Sequence, residues 1–437
     1  MKRFYKTVFI FAISAFILLS CTPKGEVQGD NFVRIQDGVF TINGAPYYFI
    51  GTNFWFGSIL GSTGEGGNRE RLIRELDFMK SKGINNLRVL VGADGENDVP
   101  FRVSPTLLKS PGVYNDTIFD GLDFFMAEMA KRNMYAVLYL GNSWEWSGGY
   151  SQYLEWTGHG KAPIPGIDGW PIFMEYVSKF VTCDECKKIF KQYTYDVITR
   201  TNRYTGVKYI DDPFIMSWQI ANEPRAFGEA NKEPYEQWLK ETAAYIKELA
   251  PNQLVSTGSE GSWGSENDME LYKRIHSDPA IDYLTAHIWP KNWSWIDPND
   301  IGNTLHIGIK NTDEYLQEHL AFAREVKKPV VVEEFGFPRD NHQYNLQDPT
   351  TYRDQYYEFI FKQIVKAAKE KDVFAGSNFW AWGGEARPAA DNIFWKKGDD
   401  YMGDPGQEEQ GLNSVFDTDT TIDLIRTYNE KIINSIK

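Results

Sequence analysis

The chain has 437 residues, a length that allows one large domain or two domains of ordinary size. Its formal net charge of −14 and isoelectric point near 5.1 provide no basic surface for phosphate groups, which argues against nucleic acid and anionic lipid headgroups as partners. Aromatic side chains make up 15% of the residues and include 14 tryptophans, which fits either an aromatic core or exposed stacking surfaces for a neutral ligand.

The first twenty residues have the pattern of an export signal. Two basic residues precede an apolar run from residue 8 to residue 19, which is too short to span a bilayer comfortably. The sequence Leu-Leu-Ser-Cys that ends at Cys21 resembles a bacterial lipobox, and this resemblance implies lipidation of Cys21 after cleavage. We therefore expect a signal peptide over residues 1–20, a tether over residues 21–30, and an exported lipoprotein anchored to a membrane, at its periplasmic face or at the cell surface.

The rest of the chain, residues 31–437, contains no linker, low-complexity stretch or charge run that would mark a domain boundary, so one domain is expected. It begins with two short apolar runs joined by Asp37-Gly38. An Asp-Gly pair between apolar runs is a strong signal for a β-hairpin. We expect this N-terminal hairpin to close one end of the fold.

Short apolar runs then alternate with longer segments of helical period, such as Leu72, Leu76 and Met79 ending at Gly83. Runs that are apolar throughout, each followed by a helix, favour a parallel sheet covered by helices. Eight such units predict an α/β fold, a single-domain (β/α)8 TIM barrel. The runs are residues 47–52, 86–91, 135–140, 214–220, 254–257, 283–286, 330–333 and 374–379.

Polar or aromatic residues follow several of these runs, where each strand is expected to end. The carboxyl ends of the strands of such a barrel lie at one rim, which is where the active sites of this fold are found. Residues far apart in the chain are therefore brought to one place. The clusters are Thr52-Asn53-Phe54-Trp55, Asn142-Ser143-Trp144, Asn222-Glu223, His287-Ile288-Trp289, Glu333-Glu334-Phe335-Gly336 and Trp380-Ala381-Trp382-Gly383-Gly384.

Two of the clusters hold glutamates suited to glycoside hydrolysis. Cleavage of a glycosidic bond needs one carboxyl group to protonate the leaving oxygen and a second to attack the anomeric carbon or activate water. Glu223 and Glu334 supply such a pair. Glu333 points to the opposite face of its strand from Glu334, so only one of these two can face the rim cavity, and the pattern alone does not choose between them. Arg88 is placed to donate to an ionised carboxylate.

Taken together in this order, the motifs of residues 31–437 resemble the mannanase branch of glycoside hydrolase family 5. The resemblance implies a retaining double displacement, with the acid/base on the fourth barrel strand and the nucleophile on the seventh. The family's Asn-Glu-Pro motif falls on residues 222–224, which makes Glu223 the acid/base. The family's nucleophile precedes an aromatic residue and a glycine, which selects Glu334. The implied activity is endo-hydrolysis of β-1,4 linkages in mannan, galactomannan or glucomannan.

The same resemblance implies substrate-binding roles around the two glutamates. The family's strand-two arginine falls on Arg88, and its strand-six histidine on His287. Asn222 would hold the 2-hydroxyl of the sugar, a bond that strengthens in the transition state. Trp380 would form the floor of the cleavage subsite, and Trp382 is a further candidate in the same cluster.

Arg225 is the main reason for expecting mannan, because mannanases of the family commonly carry arginine at this position and its cellulases usually do not. Trp55 and Trp144 lie in segments that also resemble the mannanase branch and suggest stacking surfaces on the glycone side. One position departs from the broader family, since many members have His-x-Tyr where this chain has Trp289. An indole N–H donates but cannot accept, so only a donor role toward Glu334 is expected there.

No cofactor, metal or nucleotide is implied by these motifs. Cys183 and Cys186 could pair as a small disulfide in an exported protein, and no further ligands for a zinc site lie near them. We expect a monomer that acts on β-mannan polysaccharide or oligosaccharide. Two alternatives stay open at this point: a β-1,4-endoglucanase or xyloglucanase of the same fold, and a noncatalytic glycan-binding lipoprotein.

Overall fold

The computed structural model describes residues 31–390 and 393–436. The expected signal peptide and tether, and with them Cys21, lie outside these ranges. Asn31–Lys437 cluster as one compact unit. Within the described ranges, no helix combines the length and the apolar character needed to cross a bilayer.

Strands are numbered along the chain. They are β1 (Val33–Gln36), β2 (Val39–Ile42), β3 (Ala45–Pro46), β4 (Phe49–Asn53), β5 (Asn86–Leu90), β6 (Leu108–Ser110), β7 (Val113–Tyr114), β8 (Tyr135–Asn142), β9 (Ile215–Asn222), β10 (Leu254–Ser256), β11 (Leu284–Ile288), β12 (Val330–Phe335), β13 (Phe374–Phe379), β14 (Trp382–Gly384) and β15 (Val415–Phe416).

Helices are numbered in the same way. They are α1 (Gly57–Leu60), α2 (Arg69–Ser81), α3 (Asp116–Lys131), α4 (Gly149–Trp156), α5 (Pro165–Asp168), α6 (Trp170–Val177), α7 (Asp184–Ile198), α8 (Lys232–Leu249), α9 (Met269–His276), α10 (Ile301–Val326), α11 (Thr351–Glu370) and α12 (Thr420–Ser435).

Eight parallel strands form the barrel that the sequence predicts. Their hydrogen-bonded order is β10-β9-β8-β5-β4-β13-β12-β11. Backbone hydrogen bonds from Asp282 to Val255 and from His287 to Glu260 join the two ends of this order. Each of the eight runs predicted as strands coincides with one barrel strand, so the prediction of a TIM barrel is confirmed.

Helices cover the outer face of the barrel, which is why its strands are apolar throughout. All eight residues of β8 and all eight of β9 are buried. Helix α2 buries Leu72, Leu76 and Met79, the face that their spacing predicts. The helix begins after Asn68, whose side chain accepts a hydrogen bond from the backbone N–H of Arg71.

The N-terminal hairpin closes the end of the barrel where the strands begin, as expected. Strands β1 and β2 pair through a turn in which Asp37 and Gly38 both have positive φ, at 51° and 79°. Val33 and Phe40 are buried in a separate apolar cluster with the first residues of several barrel strands. The ring of Phe40 meets that of Tyr283 edge to face, with centroids 5.4 Å apart.

Two insertions build up the opposite rim. The first, between β8 and β9, contains α4 to α7, and a disulfide between Cys183 and Cys186 lies at the start of α7. The pairing of these cysteines, which the sequence left open, is therefore present. The second insertion follows β13 and contains β14 and the loop that returns to β15.

Candidate active site

A cavity of about 450 Å³ lies at the rim formed by the carboxyl ends of the strands, and both predicted catalytic glutamates line it. An oxygen of Glu223, an oxygen of Glu334 and a ring nitrogen of His287 all lie within 4.8 Å of one another. Inverting glycosidases hold their carboxyl groups about 6.5–9.5 Å apart to admit a water, whereas retaining enzymes hold them at about 5–5.5 Å. With one carboxylate oxygen of each glutamate within 4.8 Å of the other, the pair fits the closer, retaining arrangement, in which one carboxylate attacks the sugar directly.

Glu223 is held in an unusual backbone conformation just after β9. Its φ is +48°, in the left-handed region that costs a residue with a side chain free energy. Its backbone N–H donates to the carbonyl oxygen of Gly258 at 3.0 Å, and the hydroxyl of Ser143 donates to its carbonyl oxygen. Neighbouring strand ends thus hold the strained residue in place, and its side chain is directed into the cavity.

Two side chains contact the Glu223 carboxyl group. Nδ1 of His287 lies 2.8 Å from Oε1, and the indole Nε1 of Trp144 donates to Oε2 at 2.5 Å. Burial opposes ionisation of Glu223, but the hydrogen bond and charge of His287, the charge of Arg225 and the Trp144 N–H outweigh it. Together they lower the pKa of Glu223 to about 2.

Glu334 faces the cavity and Glu333 faces the barrel interior, the choice that strand geometry left open. Glu333 is fully buried and accepts hydrogen bonds from Gln219 at 2.5 Å and Tyr283 at 3.0 Å. Burial and the charge of Glu223 raise the pKa of Glu334 to about 7, against the opposing charges of His287 and Arg88.

Arg88 is fully buried beneath the cavity, where its guanidinium group holds the Glu334 carboxylate in place. Its Nη1 donates to Glu334 and, at 3.1 Å, to Asn53. Nη2 donates to Oδ1 of Asn222 at 2.8 Å, and Nε donates to Oε1 of Gln219 at 2.7 Å. Arg88 does not line the cavity itself. It acts through two residues that do, the predicted nucleophile Glu334 and Asn222.

His287 sits at an irregularity in the pairing of β11 with β12, where the register shifts after Ala286. Burial lowers its pKa, but the carboxylates of Glu334 and Glu223 outweigh burial and raise it to about 9. By donor type alone, His287 and the two glutamates could ligate a metal. Arg88 already donates a hydrogen bond to Glu334, and its positive charge makes binding of a cation unfavourable there.

Arg225 also lines the cavity and braces Trp144. Its guanidinium carbon lies 5.1 Å from the centroid of the Trp144 ring. On its other side it forms an ion pair with Glu260, in which Nε donates to Oε2 at 2.6 Å. Glu260 is buried. It contacts Arg225, Arg225 packs on Trp144, and the indole N–H of Trp144 contacts the Glu223 carboxyl group.

Tryptophans form the walls of the cavity. Trp380 is predicted as the floor of the cleavage subsite, and Trp146 and Trp289 each meet its ring edge to face, with centroids 6.2 Å apart. Trp289 lines the cavity, as expected for a substrate-binding residue, but across the described residues no hydrogen bond joins its indole N–H to Glu334. Its contacts in this structure are aromatic.

Two of the predicted substrate-binding tryptophans do not line the cavity. Trp55 is 3% exposed, and its indole N–H donates to the carbonyl oxygen of Gly403 at 2.9 Å. Trp382 is fully buried, and its N–H donates to Oε2 of Glu75 at 2.7 Å. The expectation that both bind substrate, Trp55 by stacking, is corrected: the loop after β13 covers Trp55, and Trp382 packs behind that loop against α2.

The sequence interpretation missed several side chains that line the cavity. Glu260 follows the fifth barrel strand, so the strand-end rule that identified the other clusters also applies to it. No comparable pattern marks residues on the inserted helices and loops. Glu145 and Trp146, which also line the cavity, belong to the segment after Trp144 that the sequence interpretation had already singled out. The missed residues are Trp170, Met174, Glu260, Trp263, Asn292, Trp293, Gln407 and Glu408.

Comparisons with known proteins agree with this site. Residues 30–437 match the family model described as "GH family 5 beta-mannosidase-like". A relative from Oryza sativa subsp. japonica, whose name describes a mannan endo-1,4-beta-mannosidase, is 30% identical over 386 residues, which are 85% of this chain and 86% of the relative. Mannan endo-1,4-beta-mannosidase 4 of Solanum lycopersicum is 28% identical over 382 residues, 85% of this chain and 88% of that protein.

A solved structure is similar over nearly the whole chain. It is a glutamate-to-alanine variant of the glycoside hydrolase family 5 mannosidase from Rhizomucor miehei, in complex with mannosyl-fructose. The TM-score is 0.86 at 37% sequence identity, covering 93% of this chain and 98% of the other. The strand-end glutamates, the barrel and the match over residues 30–437 lead to one conclusion: the chain belongs to glycoside hydrolase family 5, in its β-mannosidase-like group.

Proposed function

We propose that this chain hydrolyses β-1,4-mannosidic linkages in mannan, galactomannan or glucomannan, with retention of anomeric configuration. The observation that carries the proposal is the pair Glu223 and Glu334, held within 4.8 Å in a cavity walled by tryptophans. The names of the plant relatives and the mannosyl-fructose bound by the Rhizomucor miehei protein support a mannose-containing substrate. The plant relatives' names also support internal, endo cleavage.

In the first step, a carboxylate oxygen of Glu334 attacks the anomeric carbon while the C–O bond to the leaving sugar breaks. Glu223 gives its proton to that leaving oxygen, and a glycosyl ester forms on Glu334. In the second step, Glu223 takes a proton from water, the water oxygen attacks the same carbon, and the Glu334 carboxylate leaves. Asn222, fixed by its bond to Arg88, is placed to hold the 2-hydroxyl through both steps.

The step needs a proton on Glu223, and His287 is placed to supply it. Without a sugar, the proton between them belongs to His287, whose pKa is about 9 against about 2 for Glu223. Transfer over their 2.8 Å contact leaves a neutral imidazole and a protonated acid. The charges of His287 and Glu223, which act on the pKa of Glu334 in opposite directions, are then both gone, and Arg88 remains to stabilise the Glu334 carboxylate. We propose that substrate, by expelling water, favours this neutral pair.

A second candidate is cleavage from a chain end by the same chemistry. The observation that favours it is a wall that the loop after β13 builds on one side of the cavity. The same loop places Gln407 and Glu408 at the cavity wall beside Trp380. A wall at this position restricts how many sugars can lie beyond the cleavage point.

A time course of products separates these activities. Linear mannan, galactomannan and glucomannan are each incubated with the protein, and early products are separated by chromatography. Mixed oligosaccharides at early times indicate endo cleavage, and a single monomer or dimer from the first minutes indicates release from chain ends. Products from cellulose or xyloglucan in place of mannan would make the chain a glucanase of the same fold.

Loss of catalysis in one variant separates the enzyme from a binding protein. Glu223→Gln keeps the shape of the side chain and removes the acid, and general acid catalysis contributes about 10²–10⁴-fold. We expect a loss of this size on mannan. Unchanged activity in Glu223→Gln would favour the noncatalytic glycan-binding alternative.

We also propose that the protein is a lipoprotein anchored through Cys21 and that it acts as a monomer. The support is the lipobox-like sequence ending at Cys21 and the apolar run before it. Expression with labelled palmitate followed by detergent partitioning tests the anchor. Label in the wild type and none in Cys21→Ser is the expected result, and equal label in both would contradict it.

A further inference from the structure

We infer that the chain carries a second carbohydrate-binding site, separate from the active-site cavity and centred on Trp395. A cavity of about 480 Å³ lies there, close in volume to the active-site cavity. Trp395 and Tyr401, from the loop after β13, form one side, and Gly66, Asn68 and Arg71, around the start of α2, form the other. The two cavities share none of their described lining residues.

The indole of Trp395 is held in one orientation. Its ring stacks on that of Tyr401, with centroids 5.1 Å apart and planes inclined by 26°. Its N–H donates to the carbonyl oxygen of Asp399 at 3.2 Å. Tyr401 is buried and donates its hydroxyl to the carbonyl oxygen of Ser104. One face of the indole is thus covered, while Trp395 as a whole stays only partly buried, so its other face is available to the C–H face of a sugar ring.

Fixed polar groups stand beside this aromatic surface. Nε of Arg71 donates to Glu75 at 3.2 Å, and Nη2 donates to the carbonyl oxygen of Tyr401 at 2.9 Å. Nη1 lies 4.0 Å from Oδ1 of Asp400, whose side chain is 55% exposed. A guanidinium and a carboxylate at this spacing offer a donor and an acceptor to sugar hydroxyl groups, and both are part of the cavity lining.

The charges in the cavity favour a neutral ligand. Lys397 forms an ion pair with Glu65 at 2.9 Å, and Arg71 faces Asp400. Because acidic and basic groups lie side by side, the cavity offers no field of one sign to attract a phosphate or a free cation. A polyhydroxylated neutral chain satisfies both the polar groups and the aromatic face.

The two sides of the cavity are closely fitted at Gly66. Its φ is +75°, and a Cβ there would lie 2.5 Å from Cε2 of Tyr401. A glycine is therefore required for the segment before α2 to approach the aromatic pair. This close packing holds the loop that carries Trp395 against the segment that forms the polar side of the cavity.

A chain of aromatic contacts connects this region with the catalytic centre. Tyr401 meets Trp55 at 6.0 Å, Trp55 meets Trp146 at 6.0 Å, and Trp146 meets Trp380 at 6.2 Å. The Trp395 site therefore lies at the same rim as the active site, on the other side of buried Trp55. We assign its ligand as a stretch of mannan or glucomannan backbone, an assignment that rests on the proposed function.

The experiment compares Trp395→Ala with Tyr195→Ala, a control that removes an aromatic side chain 46% exposed on α7. Each full-length variant is assayed on a short chromogenic β-mannoside, which occupies only the active site, and on dilute galactomannan. We expect Trp395→Ala to match the wild type on the short substrate and to be about fivefold slower on the polysaccharide, the effect of losing one stacking contact. Tyr195→Ala should match the wild type on both.

Affinity electrophoresis in gels containing galactomannan gives a readout that does not need catalysis. Mobility is taken relative to that of the same protein in a gel without galactomannan, which removes the charge difference of Asp400→Asn. In a Glu334→Gln background, Trp395→Ala should be retarded less than its parent, and so should Asp400→Asn, which alters an exposed side chain in a correctly folded protein. Equal migration of both variants with the parent would overturn the second site, as would an equal loss on short and long substrates. In a wild type that hydrolyses no mannan, retardation by galactomannan that Trp395→Ala reduces would refute the proposed function and still support this site.

Discussion

Nδ1 of His287 lies 2.8 Å from Oε1 of Glu223, and both residues are buried. The charge of Glu334 and this contact raise the pKa of His287, and the same contact lowers the pKa of Glu223, so that one proton serves both groups of the pair. His287 has its pKa raised above the ordinary value, so the pair keeps its proton at neutral pH and loses it as the pH rises through about 9. The acid needed for cleavage is therefore available well above the pKa of an isolated glutamic acid.

Replacement of His287 by glutamine should move the basic limb of the pH–activity profile to lower pH. Without the imidazole, the acid proton is held by Glu223 alone and is lost at lower pH. The measurement is kcat/KM against pH for both proteins, on a substrate with a poor leaving group. A basic limb that stays in place in His287→Gln would show that His287 does not hold the proton used in catalysis.

Glu260→Gln should slow the enzyme most on substrates that need acid assistance. The ion pair with Arg225 would be weakened, and Arg225 would no longer brace Trp144, whose N–H contacts Glu223. A hydrogen bond to a charged group contributes about 1.5–3 kcal/mol, which corresponds to a fall of about tenfold or more in kcat/KM.

The leaving group separates this positioning role from a structural one. A dinitrophenyl glycoside needs no proton to depart, so Glu260→Gln should act on it almost normally. Glu128→Gln, which weakens the ion pair of a buried glutamate with Arg132 elsewhere in the protein, is the matched control and should be normal on both substrates. An equal loss on both substrates in Glu260→Gln would mean that Glu260 acts through the fold or through direct contact with the sugar, and not by positioning the acid.

Trp382→Phe should reduce stability and leave substrate binding unchanged. The replacement removes the donor that contacts Oε2 of buried Glu75 at 2.7 Å, which should cost about 1–3 kcal/mol of unfolding free energy. Urea unfolding measures the first effect and KM the second. Trp380→Ala provides the contrast, since it removes a wall of the cavity and should lower kcat/KM strongly. A raised KM in Trp382→Phe would show that Trp382 contributes to substrate binding.

Reduction of the disulfide should destabilise the protein modestly without affecting catalysis. Cys183 and Cys186 close a loop of only four residues, for which chain entropy gives a stabilisation of about 2 kcal/mol. Urea unfolding with and without a reducing agent measures it, with the double variant Cys183→Ser/Cys186→Ser as the control that should not respond to reductant. A reductant effect of the same size in the double variant would assign the change to another cause.

Much of the fold was predictable because it depends on local patterns. The eight apolar runs, each with a helical segment after it, predicted the barrel strands, since a parallel strand buried on both faces must be apolar throughout. Asp37-Gly38 predicted the hairpin for an equally local reason, the positive φ that both residues adopt. The short pairs β6–β7 and β14–β15 were not predicted, because so few residues carry no clear period.

The residues of the candidate site were likewise predictable only in part. Glu223 and the adjacent residues Glu333 and Glu334 could be selected from the sequence as candidates, because closure of a parallel barrel brings all strand ends to one rim and only a few strands end in an acid. The sequence alone left Glu333 and Glu334 undecided, and the resemblance to a family selected Glu334. In the structure, Glu333 is engaged by Gln219 and Tyr283 inside the barrel, and Glu334 lines the cavity.

The sequence by itself determined the barrel, the rim and the two strand ends that carry the candidate catalytic glutamates, since these follow from hydrophobic period and strand direction. Only the tertiary structure decided which tryptophans face a substrate. Trp55, Trp380 and Trp382 all follow barrel strands. Trp55 and Trp382 are withdrawn from the cavity by Gly403 and Glu75, which lie 348 and 307 positions away in the chain. Contacts over such separations depend on the path of the loop after β13, and no local pattern of residues encodes that path.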